Sequence, residues 1–410
     1  MNEPQIAEYA VKLNLIQTLS VAALVYYAGI IVKRNIRILD RLNIPPAVIG
    51  GIFFALLVFL ARDRFFNIQF DTTAQPLFNV AFFTTIGMAA SVPLLKKGGP
   101  LVAVFLIIST LFCVVQNFIG MGIATMFDIS PLVGIIAGSV TLVGGPATGM
   151  AFAPLFQHAG VAGADTLALA AATFGIVCGG IIGGPIGTWL IKKYNVAQNK
   201  SAIQLVDTPA PRSTFRTLKI NLEQEDSHFI TNLLLLAVTM GVGTLVSSYF
   251  ESLGWTLPAY IGAMLIASLF RNLDDVTRWF KIDSHAMDFI GNISLNIFLT
   301  VALMNLKLWE LFELAAPLAA ILTVQVLVVV VFVLFVLFRI MGKDYESAVM
   351  SSGFIGFVLG TTANALANMR TLVNRYGEAP HAFLVVPLVG AFFIDFTNAI
   401  IITAFLNWLS

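Results

Sequence analysis

Asp395 lies inside the last apolar stretch of the chain, where an ionised side chain is unusual. It follows the run VVPLVGAFFI, and Asn398 comes three residues later on the same face of a predicted helix. A carboxylate at the centre of a bilayer costs roughly 2.5–3.5 kcal/mol even on lenient insertion scales. We therefore predict that Asp395 binds an ion, moves a proton or contacts a substrate, with Asn398 as a second candidate Na+ ligand. The alternative is a structural hydrogen bond to a neighbouring helix.

A Gly- and Thr-rich segment at residues 130–160 is a second candidate, with the sequence TLVGGPATG at its centre. Glycines allow a tight turn and a close approach of the backbone to a ligand. A helix that begins at such a turn presents free N–H groups to a carboxylate. The alternative is that the glycines serve only close helix packing. The candidate Na+ ligand here is Thr141, and the candidate substrate contacts are Gly144, Gly145, Thr148 and Gly149.

Residues 346–377 have the same character in the second half of the chain. Their centre reads GFVLGTTAN and continues to Asn368, which lies one helical turn after Asn364 and on the same face. Packing without ligand binding is again the alternative. The candidate Na+ ligand is Gly356, and the candidate substrate contacts are Gly360, Thr361, Thr362, Asn364 and Asn368, joined by Asp395.

Both segments are too polar for an ordinary spanning helix and too apolar for an exposed loop. Irregular backbone at membrane depth is tolerated only where protein buries it or a wet cavity borders it. A pair of such interrupted segments at matching places in two halves is typical of the binding site of a secondary transporter. The sequence therefore predicts two re-entrant hairpins and a transport function.

Three glycines recur at every fourth position in the apolar run before residue 185: Gly175, Gly179 and Gly183. Such a stripe gives a flat helix face for close backbone contact. We interpret it as a packing surface and expect it to face the first hairpin.

Composition places the chain in a membrane. Of 410 residues, 58% are hydrophobic and 11% are charged, and the mean hydropathy is +0.89. Soluble domains have about 25% charged residues. The formal net charge of +1 gives no indication of a nucleic-acid partner. The two cysteines lie far apart in apolar runs, so neither a disulfide nor a metal site is expected.

Stretches of about 20 apolar residues are long enough to cross the hydrocarbon core. Ten are predicted, five on each side of a polar segment: 13–32, 45–61, 77–95, 100–127, 163–191, 229–250, 257–270, 286–304, 317–340 and 382–408. With both termini outside, 19 of the 23 Lys and Arg residues fall on the cytoplasmic side, and Lys12, Arg62, Arg64 and Lys307 remain outside. Cytoplasmic loops are enriched in Lys and Arg, so this is the predicted orientation.

Five spans per half make the second half enter the membrane inverted relative to the first. PPAVIGGIFFALL resembles LPAYIGAMLIASL, and LFQHAG resembles LVNRYG, at corresponding places. The predicted fold is therefore an all-α polytopic membrane protein with two inverted repeats of five transmembrane helices, each with a re-entrant hairpin. The repeats are residues 1–192 and 228–410, and residues 193–227 form a cytoplasmic linker rich in charge and Pro.

Five motifs in order, GSVTLVGGPATG, ATFGIVCGGIIGGP, MNLKLWEL, LANM and VVPLVGAFFIDFTNA, resemble the bacterial sodium/glutamate symporter family. The resemblance covers nearly the whole chain apart from the linker. It implies Na+-coupled uptake of glutamate across the inner membrane, with Na+ as the coupling ion. It also implies a homodimer in which a transport domain slides past a scaffold domain.

The two hairpin tips depart from the pattern of that family. Pro146 and Ala147 stand where the family usually has His and Gly. In the second tip the departures are Val358, Thr361, Ala363 and Asn364, in place of Gly, Ala, Pro and Thr. A Na+-coupled transporter of a different small solute is therefore one alternative, and a channel with re-entrant loops is another. An enzyme is not expected.

Overall fold

The computed structural model describes residues 10–61, 67–97, 99–196, 222–253, 258–306 and 314–409. The described chain is almost entirely helical. Its two short strands, β1 (Ala10–Lys12) and β2 (Asn67–Gln69), pair in parallel.

The helices of the first half run from the N-terminal region to Tyr194, and residues 136–140 form a π-helical segment between α7 and α8. They are α1 (Leu15–Asn35), α2 (Arg37–Arg41), α3 (Pro46–Ala61), α4 (Gln75–Ala89), α5 (Val92–Lys97), α6 (Gly99–Met126), α7 (Pro131–Ile135), α8 (Gly145–His158) and α9 (Ala164–Tyr194).

The second half contains π-helical segments at residues 333–337 and 389–393. Its helices are α10 (Leu222–Ser252), α11 (Ala259–Thr277), α12 (Ser284–Met304), α13 (Ala315–Phe332), α14 (Phe338–Ile340), α15 (Tyr345–Val358), α16 (Thr362–Tyr376), α17 (Pro380–Leu388) and α18 (Ile394–Leu409).

Local sequence explains where several of these helices begin. Asn14 and Gln17 form a reciprocal capping box at the start of α1, with both hydrogen bonds 3.0 Å long. Pro131 occupies the first position of α7, directly after the capping residue Ser130. Pro258 directly precedes α11 in an extended conformation, so the helix begins after it, at Ala259.

Within the described residues, six helices are long and apolar enough to span a membrane: Leu15–Asn35, Gly99–Met126, Ala164–Tyr194, Phe229–Ser252, Ser284–Met304 and Ala315–Ile340. Three shorter apolar helices are Pro46–Leu60, Pro131–Val140 and Ile394–Leu409. These helices establish an all-α, multi-pass membrane protein, as the sequence predicts.

Four predicted segments differ in detail from the observed helices. The span predicted at 77–95 is two helices, α4 and α5, because the chain turns at Ala90 and Ser91. The helix predicted at 257–270 continues to Thr277. Its last two turns contain polar and charged residues from Arg271 onwards, so hydropathy alone does not include them in the span. The spans predicted at 317–340 and 382–408 are each interrupted by a π-helical segment, at residues 333–337 and 389–393 respectively.

The predicted linker at 193–227 is shorter than expected at both ends. Helix α9 continues to Tyr194, and α10 already begins at Leu222. Residues 197–221 are not among the described residues. The same holds for Arg62, Arg64 and Lys307, three of the four cations that the orientation places outside.

The helices pack as two bundles. The first bundle contains α1, α3, α4, α10, α11 and α12, and the second bundle contains α6 to α9 and α13 to α18. Most helix contacts lie within a bundle, and α5 connects the two. Where the bundles meet, the Tyr260 ring of α11 packs against Phe83 of α4 (centroids 4.7 Å apart) and Phe152 of α8 (5.4 Å).

Candidate functional site

The second bundle contains two helix pairs with a tight turn. The first helix pair comprises α7, the π-helical segment and α8 (residues 131–158), and the second helix pair comprises α15 and α16 (residues 345–376). Both correspond to the segments predicted from sequence at 130–160 and 346–377. Residues 131–143 and 345–360, which lead into the two turns, are almost all buried.

The first helix pair has an irregular backbone before its turn. Gly138 lies inside the π-helical segment with φ −103° and ψ −130°, which is not helical. Gly145 begins α8 with a φ of +65°, a left-handed conformation that favours glycine. No side chain caps the start of α8. Pro146 has no N–H, and the Thr148 N–H bonds the Gly144 carbonyl (3.3 Å), so the N–H groups of Gly145 and Ala147 are the ones left for a ligand in the described structure.

The second helix pair is regular and capped. Asp344 and Ser347 form a capping box at the start of α15, and Thr361 is the N-cap of α16. Gly356 allows the two helices to approach, since a Cβ there would lie 2.5 Å from the backbone of Ala365. The Gly356 carbonyl accepts a hydrogen bond from the Thr361 N–H (3.1 Å).

The turns of the two helix pairs lie side by side against α9. A Cβ on Gly145 would lie 3.7 Å from the carbonyl oxygen of Gly360. A Cβ on Gly175 of α9 would collide with the Leu359 carbonyl of the second turn, and it would lie 2.8 Å from Leu142 Cδ2 of the first. The predicted substrate contacts of the two segments are thus brought together.

Two asparagines from other helices hold the irregular backbone of the first helix pair. Asn117 Oδ1 of α6 accepts a hydrogen bond from the Ser139 N–H (2.9 Å). Asn398 Nδ2 of α18 donates to the Ser139 carbonyl (2.8 Å). Both asparagines are fully buried. The predicted ligand Asn398 therefore has a structural hydrogen bond, while its Oδ1 atom has no partner among the described residues.

The second helix pair is joined to α9 by its own side chains. Asn364 Nδ2 donates to the Ile176 carbonyl (2.9 Å), and Asn368 Nδ2 donates to the Gly179 carbonyl (2.8 Å). The prediction that Asn364 and Asn368 share a helix face is confirmed. That face contacts α9. Of the two amide oxygens, Asn364 Oδ1 is buried and has no partner within the described residues.

The glycine stripe of α9 packs mainly against the second helix pair. Of its three glycines, Gly175 also approaches Leu142 of the first helix pair, so the expectation that the stripe faces the first hairpin holds for Gly175 and is wrong for Gly179 and Gly183. A Cβ on Gly179 would lie 3.2 Å from the Gly356 carbonyl, and one on Gly183 would collide with Asn368. The spacing of the glycines indicates a packing face. It does not indicate which helix packs there, because small residues on α9 allow close contact with any partner helix.

Several buried polar atoms near the kink of the first helix pair have no hydrogen-bond partner within the described residues. They are Ser139 Oγ, Asn398 Oδ1, Asn117 Nδ2, Gln325 Oε1 and both amide atoms of Gln116. Gln325 Nε2 donates to the Gln116 carbonyl (2.7 Å), which places α13 in the same cluster. Unpaired buried polar groups in native proteins call for a bound water or ion.

Sequence reasoning missed Gln116, Asn117, Ser139 and Gln325. A usable signal was present, because amide side chains in long apolar runs are expensive to bury and face a protein interior or cavity. QN at 116–117 and Gln325 each interrupt such a run. Their convergence on residue 139 depends on contacts between distant segments, which spacing alone does not give.

The remaining candidates lie at the edge of this arrangement. Asp395 is half-buried in the first turn of α18, directly after a π-helical segment, and within the described residues it makes no hydrogen bond or ion pair. Thr362 Oγ1 donates to the Gly390 carbonyl (2.6 Å) of that segment. Thr141 Oγ1 donates to the Ile136 carbonyl (2.6 Å), and Thr148 is buried beside Gly144. Single-turn π-helices occur frequently at functional sites.

Long apolar helices around two polar, turn-containing helix pairs define a multi-pass membrane protein of the transporter class. Residues 11–378 match the family model described as Sodium/glutamate symporter. The sodium/glutamate symporter of Escherichia coli K12 is 37% identical over 396 residues, which cover 96% of this chain and 98% of that protein. The symporter of Haemophilus influenzae is 36% identical, with 93% and 95% covered. The chain belongs to the sodium/glutamate symporter family, whose members are transporters and not enzymes.

Proposed function

We propose that this protein couples the entry of Na+ to the uptake of glutamate, or of a similar small anionic amino acid or carboxylate, across the bacterial inner membrane. The main support is the meeting of the two turns against α9, beside buried oxygen atoms that have no hydrogen-bond partner among the described residues. The names of the relatives, all sodium/glutamate symporters, support the choice of ion and solute.

The proposed topology has two inverted repeats, residues 1–192 and 228–410, with re-entrant hairpins at 130–160 and 346–377 and both termini outside. Hydrogen bonding between the halves supports it. Asn398 of the second half bonds the first helix pair, whereas Asn364 and Asn368 of the second helix pair bond α9 of the first half. Inverted repeats that share one central site produce such reciprocal contacts.

The solute carboxylate is proposed to bind at the start of α8. The N–H groups there have no capping side chain, and the positive end of a helix dipole favours an anion. Gly144 is half-exposed at this point, as are Thr361 and Thr362 of the second turn. Gly145, Thr148, Gly149, Gly360, Asn364 and Asn368 complete the proposed surroundings, with Asn364 Oδ1 available as an acceptor.

Na+ is proposed to bind oxygen atoms near the tips: Asn398 Oδ1, the hydroxyl of Thr141, the carbonyl of Gly356 and the carboxylate of Asp395. Transporters coordinate Na+ with unwound backbone carbonyls and helix ends at such interruptions. Asp395 supplies the negative charge that offsets the cost of burying a cation. Since Asn398 also holds Ser139, ion binding at its Oδ1 would fix the first helix pair.

The division into two bundles supports an elevator-type mechanism, in which the second bundle moves past the first and exposes the site alternately to each side. The aromatic contact of Phe152 with Tyr260 lies on the proposed sliding surface. We further propose a homodimer that forms through the first bundle, which would remain fixed while the second bundle moves.

Uptake by proteoliposomes tests the proposal. An inward Na+ gradient should drive saturable accumulation of labelled glutamate, and an equal K+ gradient should not. Asp395→Asn should abolish Na+-driven accumulation while the protein stays folded. Asp165→Asn is the matched control, because Asp165 lies in the first turn of α9 and accepts hydrogen bonds from the N–H and the hydroxyl of its neighbour Thr166. Asp165→Asn should leave accumulation unchanged.

The same assay separates the alternatives. A panel of amino acids and dicarboxylates would detect a different solute, an outcome that the altered residues Pro146 and Ala147 make worth testing. Flux that never exceeds equilibrium would indicate a channel. Full Na+ dependence in Asp395→Asn would remove Asp395 from the ion site.

A further inference from the structure

The C-terminal end of α11 forms a compact loop around one buried carboxylate. Asp274 accepts hydrogen bonds of 2.7, 3.1 and 2.8 Å from the backbone N–H groups of residues 280–282. The Asp274 carbonyl accepts another from the N–H of Arg278 (2.7 Å), the C-cap of α11 with a left-handed φ of 56°. The loop is therefore held in place before any ligand binds.

This loop and the last turns of α11 border a cavity of about 440 Å³ that is lined mostly by charged side chains. The lining residues are Arg271, Asp274, Asp275, Arg278, Lys281 and Ile282. Both carboxylates are engaged: Asp274 binds the loop amides, and Asp275 accepts from Ser91 Oγ (2.6 Å) and pairs with Arg271 Nε (3.2 Å). Arg278 and Lys281 have no carboxylate partner in the described part of the chain, and the three cations of the lining exceed its two carboxylates, so the cavity has a net positive charge.

An exposed apolar stripe leads along α11 to this cavity. Leu269, Leu273 and Val276 recur at helical spacing, and Val276 is 82% exposed. Trp279 follows directly and is 80% exposed. Trp is enriched where a membrane protein meets the headgroup layer, and Lys and Arg extend towards that layer from helix ends. The stripe, Trp279 and the cations are thus arranged in the order of hydrocarbon, interface and headgroup.

We propose that this cavity binds the phosphate-bearing headgroup of an anionic phospholipid, whose acyl chains lie along the stripe of α11. Arg278 and Lys281 would supply charge-assisted hydrogen bonds to the phosphate, and Trp279 would pack at the level of the glycerol. The inference uses the orientation proposed above only to assign the lipid to the cytoplasmic leaflet, where anionic lipids attract basic residues. Binding itself does not depend on which solute is transported.

The position of the cavity gives a bound lipid a structural consequence. Asn272 donates to the Ala90 carbonyl (3.0 Å) and accepts from the Val92 N–H (2.8 Å), next to the bond between Ser91 and Asp275. These bonds fix the corner at which the chain leaves the first bundle and enters α5. A headgroup that neutralises the neighbouring cations would stabilise this corner against thermal unfolding.

Thermal unfolding of the purified full-length chain in a zwitterionic detergent tests the proposal. Phosphatidylglycerol should raise the midpoint temperature in a saturable way, because a ligand that binds only the folded state stabilises it. Phosphatidylcholine and free glycerol phosphate should have little effect. In Arg278→Gln/Lys281→Gln the phosphatidylglycerol concentration for half the effect should rise at least about tenfold, as expected for the loss of two interfacial cations.

A matched control is Arg37→Gln/Arg41→Gln, which removes two exposed cations assigned to the same side of the membrane, outside the cavity. It should respond to phosphatidylglycerol as the unaltered protein does. Equal responses of the two double variants would overturn the site. An equal effect of glycerol phosphate would show a soluble anion site instead of a lipid site.

The face could instead contact a second copy of the chain. Trp279→Ala should therefore leave the mass of the detergent-purified protein unchanged in light scattering, and a fall to a smaller species would overturn the lipid assignment. None of these unfolding and light-scattering experiments measures transport. A failure of lipid binding is thus distinguishable from a failure of Na+-coupled uptake.

Discussion

The two helix pairs are similar in length and position, yet their backbones are stabilised in different ways. The first is kinked at Gly138. The N–H and carbonyl groups of Ser139 form hydrogen bonds with asparagine side chains of α6 and α18. The second is regular and capped, and it binds α9 through Asn364 and Asn368 in its own helix. The backbone of the first helix pair therefore depends on side chains of other helices for its hydrogen bonds. The second helix pair instead supplies the side chains that bond to α9.

The buried polar atoms without a hydrogen-bond partner are also distributed differently around the two helix pairs. Those near Ser139 come from four different elements, α6, the π-helical segment, α13 and α18. In the second helix pair, within the described residues, they are Ser351 Oγ, Asn364 Oδ1 and Tyr376 Oη, all from α15 and α16 themselves. A ligand at the first kink would link four elements at once, so we expect the first helix pair to respond more strongly to bound ions than the second.

The largest effect is expected where both helix pairs meet α9. Gly175→Ala places a methyl group against the Leu359 carbonyl and 2.8 Å from Leu142 Cδ2, so both turns must shift. Overpacking against a backbone costs about 1–3 kcal/mol. The variant should lose transport and unfold at a lower temperature. The measurements are Na+-driven uptake and the midpoint of thermal unfolding.

Gly180→Ala is the control for that substitution. Its new Cβ would lie 3.5 Å from Leu42 Cδ2 and 3.8 Å from Asn364 Oδ1, which are ordinary contacts. Uptake and thermal stability should be nearly unchanged. Similar losses in both variants would mean that helix propensity or general packing of α9, and not the meeting of the turns, limits the fold.

An intermediate effect compares the two sets of asparagines directly. Asn117→Ala leaves the buried Ser139 N–H without its acceptor, which costs about 1–3 kcal/mol. Asn368→Ala removes a donor from the Gly179 carbonyl, but that carbonyl lies within α9 and can still accept from the helix ladder, so the loss is about 0.5–1.5 kcal/mol. Thermal unfolding should rank Asn117→Ala as the more damaging change.

If Asn368→Ala is the more damaging of the two, the second helix pair depends on its neighbours as much as the first. Na+ provides a further readout. Stabilisation by added Na+ should be weaker in Asn117→Ala than in Asn368→Ala, because the first of these loosens the kink next to Asn398 Oδ1.

Local patterns in the sequence predict much of this architecture. Apolar stretches locate the long helices, and the runs of Gly and Thr locate both turns, because hydropathy and glycine content act on each segment separately. The common face of Asn364 and Asn368 follows from their spacing of four residues. The end of α11 at Thr277 could not be predicted in this way, because the polar residues of its last turns have the hydropathy of a loop.

Contacts between distant segments could not be predicted in the same way. The partner of the Gly175 stripe, the convergence of Gln116 and Gln325, and the division into two bundles all depend on which apolar faces meet. Many pairings of apolar helices bury similar areas, so composition does not choose among them. The orphan atoms near Ser139 become visible only when the neighbours of each amide are known.

The smallest effect on the fold, and the most specific, concerns the first turn alone. Pro146→His/Ala147→Gly introduces the His and Gly that the family resemblance implies at this turn, and it gives the second position of α8 an N–H that Pro lacks. A hydrogen bond from that N–H to a carboxylate contributes about 1.5 kcal/mol, or about tenfold in affinity. Competition uptake should therefore show tighter binding of glutamate relative to a neutral amino acid, with the Na+ concentration for half-maximal uptake nearly unchanged. Ala147→Gly alone adds no donor and should change selectivity much less. If glutamate and Na+ affinities shift together in the double variant, the first turn controls opening of the site, and substrate recognition must be assigned to the second turn at Thr361 and Asn364.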